Sequence, residues 1–157
     1  HLAGQTWLAD TGFGAQGIRE PLPLIDGATS TQGLAQYRLT AGARWGWLLE
    51  QAHQGAWRSL YGFTLEPFYP SDYAVMNHYH STSPASPFTQ HRMLAIHTPT
   101  GRIALYDNEL KIYAPEQTTI RLIKDEAEFR EVVATYFAVE LSPDVSFTDA
   151  LDKNVDL

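Results

Sequence analysis

A helical repeat is hard to find in this chain until residue 125, and that constrains its architecture more than any other feature. From 125 to 139 the sequence reads DEAEFREVVATYFAV. Phe129, Val132, Val133, Tyr136 and Phe137 recur at i, i+3, i+4, i+7 and i+8, the stripe of an amphipathic helix. Asp125 is placed as the N-cap, and Glu128 stands where a capping box wants it. Before this point the chain is a series of short alternating runs separated by turn formers, which is the pattern of strands.

The runs are TWLAD, QYRLTAG, RWGWLLEQAHQGAWRSLYGFTL, TQHRMLAIHTP, GRIALYDNEL, ELKIYAP and TIRLIK. REPLPLID carries two prolines and reads as an edge strand or extended segment. Gly55 falls in a hairpin turn, and TPTG is a second hairpin loop. Trp45, Trp47 and Leu49 are expected on one face, and Trp57, Ser59 and Tyr61 on one face across the turn. Pro67, Pro70, Pro84 and Pro87 interrupt the middle of the chain. Between them SDYAVMNHYH reads as one short helix capped by Ser71. SPDVSFTDAL reads as a final short helix, with Ser142 as cap and Pro143 at its first position. The whole is a β-rich body followed by a sheet-plus-helix end piece, with a boundary near HTPTG.

With 157 residues and 44% hydrophobic composition, the chain can build a core. Its formal charge of −7 and scattered basic residues argue against a nucleic-acid backbone as partner. No apolar run is long enough to span a membrane, and the opening HLAGQTW lacks the basic start of a signal peptide. Cysteine is absent, so this chain holds no disulfide, thiolate metal site or cysteine nucleophile, which fits a reducing, cytoplasmic setting.

Three features are candidates for chemistry. In WLADTGFGAQG, Asp10 is followed by Gly12, Phe13, Gly14 and Gly17. The glycines allow positive φ and close approach of another group to the backbone, and successive N–H groups in such a loop can cup an anion. Asp-x-Gly is equally ordinary turn chemistry. Among the histidines, His78 and His80 would share a face on a strand, as zinc ligands do, but no third ligand stands at a diagnostic spacing, so no metal is expected. Asp72 lies close by in sequence without an activated nucleophile. HSTSPASPF, ending in Phe88, is a capped loop or a set of hydroxyls and a ring for a ligand.

Two segments taken together resemble the arylamine N-acetyltransferases. WLADTGFG is followed by LYGFTLEPFYPSDYAVMNHYHSTSPASPF. Asp10, Gly12, Phe13 and Gly14 match the family's Asp-x-Gly-Phe-Gly. Tyr61, Phe63, Leu65 and Pro67 match Tyr-x-Phe-x-Leu-x-Pro, followed by Asp72 and Asn77. Ser81, Thr82, Pro84, Ser86 and Phe88 match the Ser/Thr-rich element. The resemblance implies a mainly β, α+β fold: an antiparallel β-barrel-like domain over residues 1–100, then a small α/β lid over 101–157. It implies acetyl transfer from acetyl-CoA to arylamines, hydrazines or arylhydroxylamines through a Cys-His-Asp triad. Asp10 would be the triad aspartate. Phe13 and Phe88 would line the acceptor pocket, and Gly12 and Gly14 would keep the loop bare for acyl group and cofactor.

The departures have consequences. The family's cysteine segment and helical N-terminal domain have no counterpart here, so the resemblance implies a C-terminal fragment, inactive alone. His1, nine residues before Asp10 and the only histidine preceding it, is either the triad histidine on a shortened hairpin or merely a terminal residue, where fraying is common. His78 occupies a position where the family more often has an aromatic ring. Faces meant for the missing domain would be bared, so self-association is expected. A macrolactam-forming amide synthase fits the same resemblance. A non-catalytic β-rich binding module is the reading from another class.

Overall fold

The protein is described from a computed structural model, which covers residues 4–42, 44 and 46–147. Among these, ten strands and three helices are seen, and the strands pair antiparallel. This is the mainly β, α+β class expected. The chain divides into two compact units, His1–Pro67 and Phe68–Leu157. The TPTG turn, near the expected boundary, joins two strands inside the second unit.

In the first unit, β1 (Trp7–Leu8) pairs with β2 (Leu22–Pro23) as a short ribbon. β3 (Thr29–Gln32), β4 (Ala35–Gly42), β5 (Gly46–His53) and β6 (Ala56–Phe63) form a four-stranded meander. Between β5 and β6, Gln54 and Gly55 both have positive φ, 50° and 79°. That is the two-residue turn whose twist matches a right-handed hairpin. Alternation along the strands sends Tyr37, Leu39 and Leu49 into a core with Ile18 and Leu22, flanked by Trp47, Tyr61 and Phe63.

One expected face is split. Leu49 pairs with Tyr61, but Glu50 pairs with Ser59, so Leu60 is an extra residue in β6. A bulge of this kind shifts the two-residue period by one. Tyr61 therefore faces the core, while Ser59 and Trp57 lie opposite Glu50 and Ala52 on the other side. There the Arg38 guanidinium sits 4.5 Å from the Trp57 ring and bonds Glu50 at 2.8 Å. Of the expected Trp45, Trp47 and Leu49 face, Trp45 lies outside the described residues.

The second unit opens with α1 (Pro70–Thr82) and α2 (Pro87–Gln90). α1 begins earlier than Ser71. Pro70 takes the first helical position, where its missing N–H costs nothing, and Asp72 accepts from the Tyr69 N–H at 2.8 Å. β7 (Met93–Thr98), β8 (Gly101–Tyr106), β9 (Glu109–Tyr113) and β10 (Thr118–Leu122) form a second meander. α3 (Glu126–Phe137) lays Phe129, Val132, Val133 and Phe137 onto Leu105, Leu110 and Ile123. Asp125 caps it by accepting from the Glu128 N–H at 2.8 Å. The Glu128 carboxylate turns instead to the Lys124 N–H and to Arg121, so the reciprocal half of the expected capping box is diverted.

The final helix is not seen over the described part of SPDVSFTDAL, residues 142–147, which form a turn followed by chain without regular structure. Side chains of α3 take the backbone groups a helix would need. Arg130 donates to the Leu141, Ser142 and Val145 carbonyls, and Glu126 accepts from the Phe147 N–H. No helix among the described residues is long and apolar enough to cross a membrane.

Candidate active site

The Asp10 loop is built by its own side chain. Asp10 Oδ1 accepts from the Gly12 N–H at 2.9 Å and the Phe13 N–H at 3.1 Å, folding the chain back as an Asx turn. Gly14 then takes φ +82°, a conformation that glycine enters without steric cost. The Gly17 N–H closes the loop on the Gly14 carbonyl at 3.0 Å. A Cβ on Gly17 would stand 3.3 Å from both the Gly14 oxygen and the Phe13 Cβ. The far end of the loop is anchored to the sheet. The Tyr37 hydroxyl lies 2.9 Å from the Gly17 carbonyl and 3.1 Å from that of Gln16, and Arg58 bonds the Gln16 side chain at 2.7 Å.

The second carboxylate oxygen points at the sheet. The Tyr61 hydroxyl donates to Asp10 Oδ2 at 2.6 Å. The Phe13 ring lies on Tyr61 with centroids 4.7 Å apart. Burial, then the hydrogen bond to Asp10 and its negative charge, push the Tyr61 phenol above its ordinary range. Tyr61 therefore stays protonated at physiological pH and acts as donor. A carboxylate held in this way is oriented on both oxygens, and Oδ2 keeps lone-pair capacity for one more donor.

Of the expected site residues, Asp10, Gly12, Phe13 and Gly14 share this loop. Phe88 lies in the second unit, at the start of α2. Its N–H bonds the buried Ser86 hydroxyl at 3.3 Å, and its ring meets His80 edge-on at 5.0 Å. His1 lies outside the described residues. His78 and His80 sit on helix α1, where an i, i+2 spacing turns side chains about 200° apart, so the shared face needed for a metal pair is lost. No group of three or more metal-ligating side chains is found among the described residues. In the sequence Tyr61 is a motif position with no role attached to it. The bulge at Leu60 that brings it to Asp10 has no mark in the residue pattern.

A Cβ on Gly12 would meet nothing within 4 Å, and its φ is not positive. Among the described residues nothing demands glycine there.

The N-acetyltransferase family model matches residues 1–145. The chain belongs to the arylamine N-acetyltransferase family. It is 30% identical to mouse arylamine N-acetyltransferase 2 over 163 aligned residues, covering 89% of this chain and 56% of that one. The arylamine N-acetyltransferase of Mycobacterium abscessus superposes with a TM-score of 0.83 at 30% identity, over 96% of this chain and 55% of that one. The Mycobacterium marinum enzyme in complex with CoA gives 0.83 at 26% identity, over 94% and 55%. The chain thus spans about half the length of these relatives.

Proposed function

We propose that this chain supplies the aspartate arm of an acetyl-CoA-dependent arylamine N-acetyltransferase. Asp10 receives a histidine N–H on Oδ2, fixes the tautomer of that imidazole and stabilises its cation, so that the imidazole holds a cysteine as thiolate. The cysteine is not in this chain, and the chain alone does not turn over. Acetyl-CoA supplies the acetyl thioester; the acceptor is an arylamine, arylhydrazine or arylhydroxylamine. Phe13 contacts the acceptor beside Asp10, Phe88 is given a substrate-binding role by its place in the family's Ser/Thr-rich element, Gly12 and Gly14 keep the loop edge clear for the acyl donor, and the setting is cytoplasmic.

The observation that carries this reading is the two-sided grip on Asp10, by backbone N–H groups on one oxygen and Tyr61 on the other. A carboxylate serving only a turn needs one oxygen. The CoA complex of the M. marinum relative supports the choice of donor. The test is intact mass of the protein expressed from its gene. Incubation with acetyl-CoA adds one acetyl group, and an arylhydrazine removes it, as a covalent two-step route requires. A protein that never carries the acetyl group sinks the proposal.

A further inference from the structure

Among the described residues β10 is the outer strand of its sheet, hydrogen-bonded to β9 alone. The Ala114 N–H donates to the Gln117 carbonyl and the Ile123 N–H to that of Asn108. With Thr118 opposite Tyr113 and Leu122 opposite Glu109, antiparallel alternation turns the backbone groups of Thr119 and Arg121 toward β9. Those of Thr118, Ile120 and Leu122 point away from the sheet. All five residues of β10 are exposed, unlike those of any other strand among the described residues. Ile120 is 57% and Leu122 61% exposed. Native edges are normally blunted by proline, a bulge or an inward charge. TTIRL has no proline and pairs in regular register, and its one charge, Arg121, is bonded to Glu128 of α3.

We propose that β10 pairs antiparallel with β10 of a second copy, about a two-fold axis through Ile120. Such a contact is isologous and closes at two copies. The outward groups of Ile120 meet those of the partner's Ile120, and Thr118 exchanges bonds with the partner's Leu122. The apolar side chains of Ile120 and Leu122 then lie side by side on one face of a continuous sheet. On the other face Arg121 stands opposite the partner's Thr119, so no like charges meet. Two residues past the strand ends, Lys124 and the partner's Glu116, which lies in the turn closed by the Ala114 N–H on the Gln117 carbonyl, come to the same end of the pairing and are of opposite charge. This charge match selects a second copy as the occupant. The inference does not depend on the acetyl-transfer reading.

The chain has no cysteine, so single thiols report the register. In Ile120→Cys the two thiols face each other with Cα atoms about 5.5 Å apart, within disulfide reach. In Leu122→Cys they are separated by four residue steps, about 14 Å. Under mild oxidation the 157-residue chain should form Ile120→Cys dimers at least tenfold faster than Leu122→Cys dimers. A mixture of Thr118→Cys and Leu122→Cys chains should give the mixed dimer. In sedimentation, Glu116→Lys should weaken the dimer and added Lys124→Glu restore it. A wild-type chain that sediments as a monomer at the cross-linking concentration would overturn the proposal. So would equal cross-linking rates for Ile120→Cys and Leu122→Cys.

Discussion

At the scale of single residues, the loop separates what glycine does for folding from what it does for a ligand. Gly14 holds a positive φ, so Gly14→Ala should cost about 1–2 kcal/mol of stability. Gly12 has no neighbour for a Cβ within 4 Å, so Gly12→Ala should leave stability within about 0.5 kcal/mol. If that bare edge admits the acyl donor, the same substitution raises the KM for acetyl-CoA; an unchanged KM would remove Gly12 from the site. Tyr61→Phe deletes a hydrogen bond to a carboxylate and should cost about 1–3 kcal/mol in denaturant unfolding. The phenol also carries a pH signature. Its folded pKa is raised, so the folded chain keeps a proton that the unfolded chain loses near pH 10. Stability is whole below that pH and falls as pH rises through the unfolded value toward the folded one. Wild type should lose more stability than Tyr61→Phe between pH 9 and pH 11, at roughly these limits set by the phenol range; parallel curves would contradict this.

At the scale of elements, legibility followed the local signal. The α3 stripe and its Asp125 cap are both in place, because a helix periodic over several turns reports its own buried face. Asp125→Ala should cost about 1 kcal/mol, and Phe129→Ala, which empties the centre of that core, about 3–5 kcal/mol. Both are read from unfolding midpoints, and a Phe129→Ala cost below that of the cap would mean the core is placed wrongly. The strands were also legible, through alternation and turn residues such as Gly55. The failures came where distant side chains decide. Nothing near Leu60 marks a bulge, yet it splits Tyr61 from Ser59. Ser142 and Pro143 look like a helix start, but Arg130 and Glu126 claim the backbone groups that follow. Of the site, the Asp10 loop was legible because an Asx turn lies within a few residues, whereas the Tyr61 contact spans the sheet.

At the scale of the whole molecule, two units each carry their own core. α1 has no buried residue, and Tyr73, Val75, Met76 and Tyr79 on it are exposed. A short helix gains most of its stability from a packed face, so α1 is expected to be the first part of the second unit to exchange its amide hydrogens. Strong protection of residues 73–79 in the isolated chain would contradict that. The relatives are about twice as long as this chain, and the chemistry assigned to Asp10 needs a histidine and a thiolate beside it. The most direct measurement is turnover by the protein expressed from its gene, with acetyl-CoA and an arylhydrazine, for wild type and Asp10→Asn. Replacing an orienting carboxylate by its amide leaves the shape intact and supports the wrong imidazole tautomer, which in a comparable triad costs about 10⁴-fold in rate. A loss of that order, in a protein that is still folded at the assay temperature, is the predicted result. CoA release by Asp10→Asn within a few-fold of wild type would mean that Asp10 closes a turn and does no more.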